Sequence, residues 1–218
     1  MSTQAIDEVL RTTRSVRRRL DFERPIPPEL IEECIEIATQ APTGLHRESW
    51  RFLVITDPEQ KAGVAQLYRR GFEAYAGRRD ASPSRAQQAL VSRLHEMPAL
   101  ILVCSEGRPD PGNNAMSVSF YASVLPAAWS LMLALRARGV GATWTTVLLV
   151  HERETAELLG IPDDVTQTVL LPVAFTRDAV LKPAARRGPR EVTFWNRWGQ
   201  ARTDVPVPGE AGDQEAPP

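Results

Sequence analysis

ALILVC, residues 99–104, is an uninterrupted apolar run that is followed by a polar loop over 106–114. A short run of this kind predicts a β-strand buried on both faces. Two other runs share its apolar and β-branched character, WRFLVIT at 50–56 and VLLPVAF at 169–175. We therefore expect three buried strands, and they set the frame for the rest of the chain.

Segments with helical periodicity separate these strands. The longest is predicted over 119–138, where apolar residues occur nearly all round and Gly139 ends the pattern, so we expect a central helix. Residues 142–150 are expected to form a strand or an extended loop. Strands and helices alternate without a glycine-rich phosphate loop, which favours an α+β fold over a doubly wound nucleotide-binding fold. The other predicted helices cover 6–13, 28–40, 59–95 and 152–159.

The length of 218 residues predicts one compact domain, which we place at 1–200. Proline, glycine and acidic residues dominate 201–218, so a disordered tail is expected there. Two glycines and a proline interrupt the pattern around 66–95, which favours a mobile helical flap. The sequence shows no apolar run that approaches membrane-spanning length.

The formal net charge is −1, from 26 Lys and Arg against 27 Asp and Glu. A balance of this kind gives no reason to expect a nucleic-acid or membrane partner. The first 20 residues lack the apolar segment of a signal peptide, so a cytoplasmic location is expected. The two cysteines lack metal-type spacing, and no histidine has a partner that would support a nucleophile. We therefore predict neither a metal site nor a catalytic side chain.

Two segments carry side chains suited to a ligand. Arg14-Ser15-Val16-Arg17 combines two guanidinium groups with a hydroxyl, a set that suits phosphate oxygens, although a solvated basic turn would look the same. The loop 41–50, APTGLHRESW, holds Gly44, which permits close approach of backbone to a ligand. It could equally be an ordinary connection with a surface His46.

Taken in order, RSVR, APTGLHRESWRFLVI, the helix and glycine pair over 125–141, TWTT and LLPVAF resemble the nitroreductase family, over about Ile6 to Trp198. The resemblance implies a mostly antiparallel central sheet flanked by helices. It also implies an intertwined homodimer with FMN at the subunit interface.

By similarity, Arg14, Ser15 and Arg17 would hold the FMN phosphate and ribityl chain, and Arg186 or Arg187 would complete the phosphate site. The remaining assignments concern the flavin ring and its surroundings. They are Pro42, Thr43, Gly44 and His46 along the ring from the partner subunit, Trp144, Thr145 and Thr146 as hydrogen-bond donors, and Phe72 and Tyr75 against the substrate.

The family resemblance implies ping-pong chemistry, in which NADH or NADPH delivers hydride through flavin N5 to a small electron-poor acceptor such as a nitroaromatic or a quinone. Two alternatives stay open, an FMN-binding or sequestering protein with little turnover and a biosynthetic flavin oxidase or dehydrogenase. A deazaflavin donor is a further alternative. The sequence departs from the common pattern at Thr13, His46 and Glu48-Ser49. The His-x-Glu form is reminiscent of the iodotyrosine deiodinase branch, but the flap lacks a clear set of residues for an amino acid zwitterion.

Overall fold

The fold was obtained as a computed structural model, which describes residues 3–44, 48–77 and 82–202. Within these ranges, short 3-10 turns at Leu94–Glu96 and Val147–His151 accompany the regular elements. In chain order these elements are α1 (Thr3–Thr12), β1 (Leu20–Asp21), α2 (Pro28–Ala38), β2 (Trp50–Ile55), α3 (Pro58–Ala76), α4 (Arg85–Arg93), β3 (Ala99–Glu106), α5 (Asn114–Ala137), β4 (Val140–Ala142), α6 (Glu152–Leu159), β5 (Val165–Thr176) and α7 (Pro189–Val192).

The strands form one antiparallel sheet in the order β1-β5-β3-β2, and β4 also pairs with β5. The three strands predicted from apolar runs are confirmed, and β5 begins at Val165, earlier than expected. The sheet is flanked by helices, as the α+β prediction requires. The two-residue strand β1 and the one-turn helix α7 gave no recognisable sequence pattern.

Side chains of β3 alternate between two apolar layers, because successive residues of a strand point to opposite faces. Ile101 and Val103 pack with α2 and α5 on one face. Leu100 and Leu102 pack with α3 and α4 on the other. The central sheet is therefore covered on both sides, which explains why residues 99–104 are apolar without alternation.

Helix α5 is long and apolar enough to cross a membrane by length and composition alone. The expectation that no apolar run approaches that length is therefore wrong. The same two criteria are met by core helices of soluble proteins, and Leu131 and Leu135 of α5 are fully buried against the sheet. This packing explains the apolar residues in the second half of α5.

Helix α3 runs without a break through Gly71, contrary to the predicted interruption. Its residues Leu67 and Tyr68 are buried, so the beginning of the 66–95 segment belongs to the core. A Cβ at Gly71 would lie 2.7 Å from the carbonyl oxygen of Val147, which makes close approach the reason for this glycine. A flap beyond Gly77 stays a prediction, since residues 78–81 lie outside the described ranges.

A strand or an extended loop is expected at 142–150, but the regular strand in this region is β4, which ends at Ala142. After β4, the pairing with β5 continues only as a bridge between Thr145 and Leu170. The Thr143 N–H donates to the Pro172 carbonyl at 3.1 Å. Proline has no N–H, so the reciprocal hydrogen bond to the Thr143 carbonyl is missing. This gap separates the bridge from β4.

Residue contacts divide the chain into two compact units, 1–182 and 183–218. The described part of the second unit contains α7 and an aromatic cluster, in which the rings of Phe194 and Trp198 lie 4.8 Å apart. The single domain at 1–200 stays a prediction. The expected tail falls almost entirely outside the described residues, which end at Arg202.

Candidate functional site

The RSVR segment lies in an extended conformation beside the end of β4. The Val16 N–H donates to the Ala142 carbonyl at 2.9 Å, and the Thr143 hydroxyl donates to the Val16 carbonyl at 2.7 Å. The Trp144 N–H donates to the Ser15 hydroxyl at 3.0 Å. The structure thus brings together two segments that the sequence placed more than 120 residues apart.

Gly141 makes this approach possible. A Cβ at Gly141 would lie 2.8 Å from Cγ2 of Thr176 and 3.0 Å from Cβ of Val16. Any larger residue would therefore push the RSVR segment away from β4. Gly139 has another role, because its φ of +76° ends α5 in a left-handed conformation.

The side chains of the segment face two different cavities, since an extended backbone alternates its side chains. Arg14 lines a cavity of about 390 Å³ together with Glu8 and Arg136. Ser15 and Arg17 line a second cavity of about 670 Å³. Two further arginines and Asp178 also line the second cavity, which makes it mainly basic. The two predicted phosphate-binding arginines are therefore neighbours in sequence but do not converge on one cavity in this chain.

Arg17 is half-buried and forms no hydrogen bond or ion pair with the residues that the structure describes. Burial lowers the pKa of the Arg17 guanidinium, and the nearby Tyr68 acts in the opposite direction. By contrast, Arg51 and Arg108 each reach a glutamate at 2.6 Å. A charge withdrawn from water without a partner is unfavourable, so this position favours an anionic or strongly accepting ligand.

Of the hydrogen-bond donors expected at Trp144, Thr145 and Thr146, two backbone N–H groups are already engaged within the chain. The N–H of Trp144 is bound to Ser15, and that of Thr145 is bound to the Leu170 carbonyl at 3.1 Å. Thr145 is buried, and its hydroxyl lies 3.0 Å from the hydroxyl of Tyr68. Thr146 is exposed, and its N–H has no partner in the described part of the chain. Of the three backbone N–H groups in this segment, that of Thr146 is therefore the one available to a ligand.

Tyr68 was not among the residues singled out from the sequence. Burial raises the pKa of its hydroxyl, while the hydrogen bond to Thr145 acts in the opposite direction. The signal that could have found it is its spacing, because Tyr68, Phe72 and Tyr75 lie one helical turn apart on the same face of α3.

The loop before β2 is held against α5. The Gly44 N–H donates to the Ser123 hydroxyl at 2.8 Å, and a Cβ at Gly44 would lie 2.6 Å from Oγ of Ser119. Gly44 and Ser123 border a cavity of about 200 Å³. Within the described residues, no hydrogen bond links this loop to RSVR in the same chain. Pro42 is exposed and Thr43 half-buried, whereas His46 lies outside the described ranges.

The remaining predicted residues lie elsewhere. Phe72 is half-buried and packs on the core, and Tyr75 is exposed. Arg186 and Arg187 are both exposed and belong to the second unit, so their assignment to a phosphate site stays a prediction. Among the residues that the structure describes, no cluster of His, Cys, Asp or Glu could hold a metal ion.

Residues 10–175 match the model of the nitroreductase family, a range that includes RSVR, the Gly44 loop and the sheet up to the last residue but one of β5. The chain belongs to this family. It is also 30% identical to iodotyrosine deiodinase 1 of Mus musculus over 196 residues, which is 86% of this chain and 68% of the mouse protein.

Two solved structures illustrate the likeness of this family member. The crystal structure of oxidised iodotyrosine deiodinase bound to FMN and 3-iodo-L-tyrosine is similar with a TM-score of 0.66 and 26% identity, covering 86% of this chain and 98% of that one. The NADPH:FMN oxidoreductase of Vibrio harveyi, complexed with NAD⁺, shares the fold, with a TM-score of 0.68 and 16% identity over 89% and 78% of the two chains.

Proposed function

We propose that this protein is an FMN-dependent oxidoreductase that transfers two electrons from NADH or NADPH to an electron-poor acceptor such as a nitroaromatic or a quinone. The observation that carries the proposal is Arg17, whose half-buried guanidinium lacks an anionic partner within the described residues. The Thr146 N–H, equally without a partner there, lies in the segment that is bonded to RSVR. The residues present therefore fit a cofactor that carries a phosphate and a ring with several acceptor atoms.

Each residue would have a separate task. Arg17 would supply positive charge in the second cavity and Arg14 from the adjoining one, which shares Val16 in its lining. The Ser15 hydroxyl, which accepts from Trp144, retains its own proton for donation to an oxygen. Thr146 would donate to the ring, where negative charge accumulates on reduction. FMN, when bound, supplies the two-electron chemistry that no side chain of this site provides. The nicotinamide loses two electrons and one proton, and the quinone gains these and a second proton from water.

Similarity to other proteins supports the cofactor and the donor. FMN is bound in the deiodinase structure, and NAD⁺ in that of the Vibrio harveyi oxidoreductase. Neither likeness distinguishes NADH from NADPH for this chain.

A second copy of the chain would complete the site. Helix α5 exposes Met116, Tyr121 and Trp129, of which Trp129 is 37% exposed, whereas Leu131 and Leu135 in its second half are fully buried. Exposed apolar side chains on one helix are typical of protein–protein interfaces. A homodimer would cover them, and the partner's loop over 42–44 would then reach the flavin, as the family resemblance implies.

The test is the visible absorption spectrum of the purified protein after addition of FMN, followed by anaerobic addition of NADPH or NADH. A bound-flavin spectrum that bleaches, and returns when a quinone is added, would support the proposal. Bound flavin that stays oxidised with both nucleotides would favour a sequestering protein or another donor. Absence of flavin binding would refute the proposal.

Reductive dehalogenation is a second candidate, favoured by similarity to the mouse deiodinase and to the structure that contains 3-iodo-L-tyrosine. In that reaction the carbon–iodine bond receives two electrons and a proton, and iodide leaves. Release of iodide from 3-iodo-L-tyrosine by the chemically reduced FMN-loaded protein would support this candidate. Bleached flavin that reacts with quinones but releases no iodide would exclude it.

A further inference from the structure

The hydroxyl of Tyr68 reaches the candidate flavin site from the core side. Tyr68 is only 4% exposed in α3, and its hydroxyl lies 3.0 Å from Oγ1 of Thr145. A buried hydroxyl that loses its partner costs about 1–3 kcal/mol, so this hydrogen bond defines the arrangement of both side chains. Burial raises the pKa of the Tyr68 hydroxyl, and the smaller effect of the positive charge of Arg17 acts in the opposite direction.

Thr145 is held by four hydrogen bonds, one of them weak, in which the Val147 N–H donates to its hydroxyl at 3.5 Å. Its N–H donates to the Leu170 carbonyl at 3.1 Å, and its own carbonyl accepts from the Leu170 N–H at 2.9 Å. Its hydroxyl is engaged with Tyr68, which itself has no other hydrogen-bond partner in the described ranges. Thr145 is thus a buried support whose backbone N–H and carbonyl are both paired.

Thr146 depends on this support. The peptide group that joins Thr145 to Thr146 is planar, so the direction of the Thr146 N–H follows the ψ angle of Thr145. The Thr146 side chain is exposed, and its carbonyl accepts from the Leu149 N–H at 3.1 Å. A change at Thr145 would therefore turn the donor that faces the ligand.

Helix α3 contacts the same segment a second time, at Gly71. The 2.7 Å approach of a Cβ at Gly71 to the Val147 carbonyl shows that helix and segment touch without space for a methyl group. Tyr68 and Gly71 are one helical turn apart, and so share one face of α3. The helix consequently fixes residues 145–147 at both ends.

From these contacts we infer that Tyr68 is a positioning residue, which acts through Thr145 to aim the Thr146 N–H at the flavin ring. The inference rests on the proposed function and adds to it a residue that does not touch the cofactor. Helix α3 would then have two roles, because Tyr68 would position the donor and Phe72, one turn further along, is predicted to contact the substrate.

The test is the equilibrium between the FMN-loaded protein and a redox dye of known potential, which requires no natural donor or acceptor. Tyr68→Phe keeps the ring in the core and removes only the hydroxyl. We expect the ratio of oxidised to reduced flavin to rise about three- to tenfold, the effect of one hydrogen bond. Thr145→Val should produce a similar change, and Thr145→Ser, which keeps the hydroxyl, should preserve the ratio of the unmodified protein.

A double variant, Tyr68→Phe with Thr145→Val, tests whether the two substitutions act through the same hydrogen bond or independently. If both substitutions remove the same hydrogen bond, the combined change should not exceed the larger single change. Visible circular dichroism of the bound flavin should shift in the same variants.

Thr168→Val is the matched control, because Thr168 is buried in β5 and its hydroxyl donates to the Val103 carbonyl at 2.7 Å. It should lower the melting temperature as much as Tyr68→Phe but leave the dye equilibrium unchanged. A Tyr68→Phe protein with reduced stability but an unchanged ratio of oxidised to reduced flavin would overturn this inference and leave the proposed function standing. An unmodified protein that takes up no FMN would overturn the proposed function, and the inference with it.

Discussion

The N–H of Gly44 donates to the hydroxyl of Ser123 at 2.8 Å, at a point where the same glycine leaves no space for a methyl group against Ser119. One residue of the loop thus meets two serines that are one turn apart in α5. The loop is fixed through its backbone, which explains how a short, polar connection can hold one conformation beside a ligand.

Gly44→Ala should therefore weaken FMN binding, because its Cβ would lie 2.6 Å from the Ser119 side chain and displace the loop. Ser119→Ala in the same chain removes the atom that collides and should restore most of the affinity. Fluorescence titration with FMN measures both. Equal affinities in the single and double variants, both below that of the unmodified protein, would mean that another feature of Gly44 matters.

Arg17→Met should have opposite effects on stability and binding. Removing an unpaired, half-buried charge should raise the melting temperature of the apoprotein, by about 2–4 °C for each kcal/mol gained in a chain of this size. FMN affinity should fall about 10- to 100-fold, the typical effect of a charge-assisted hydrogen bond. Arg153→Met is the control, because Arg153 is exposed and paired with Glu157 at 3.0 Å. A less stable Arg17→Met apoprotein would show that the guanidinium has a structural partner.

The two glycines at the end of α5 should differ when substituted. Gly139→Ala places a side chain in open space but at a φ of +76°, and should cost about 1 kcal/mol through backbone strain. Gly141→Ala collides with Val16 and Thr176, and should cost about 1–3 kcal/mol. Urea unfolding gives both values. Only Gly141→Ala should also reduce FMN affinity, since it alone displaces the RSVR segment.

Cys104 should make stability depend on alkaline pH. Burial raises the pKa of the Cys104 thiol to about 12, against 9.0 for an unperturbed thiol, with a smaller contribution from Glu152. The unfolded chain then loses the thiol proton first, so the free energy of unfolding should decrease as the pH rises from about 9 towards 12. Cys104→Ala should remove this part of the pH dependence. Rapid reaction of the native Cys104 thiol with a disulfide reagent at pH 8 would contradict the burial.

The three long strands β2, β3 and β5 and the central helix could be predicted because their apolar patterns are long and local. The conformation of residues 143–146 could not be predicted, because the hydrogen bond of the Thr145 N–H depends on Leu170, a residue of β5 that is distant in sequence. Tyr68 was missed for a related reason, because only the folded chain shows which side of α3 is buried. RSVR was found from its chemistry, but its division between two cavities depends on the backbone conformation.

Pro172 in β5 has a dynamic consequence. Because proline has no N–H, residues 143–145 lack one hydrogen bond to β5, at Thr143. Beyond Thr143, only the two hydrogen bonds between Thr145 and Leu170 join these residues to the sheet. The sheet alone therefore holds Thr145 weakly, and the hydrogen bond to Tyr68 supplies a restraint in place of the missing one. Without that restraint, a stretch joined by so few hydrogen bonds should open locally. The amide proton of Thr145 should therefore exchange with solvent sooner in Tyr68→Phe than in the unmodified protein, while that of Leu102 in the centre of the sheet should be unaffected.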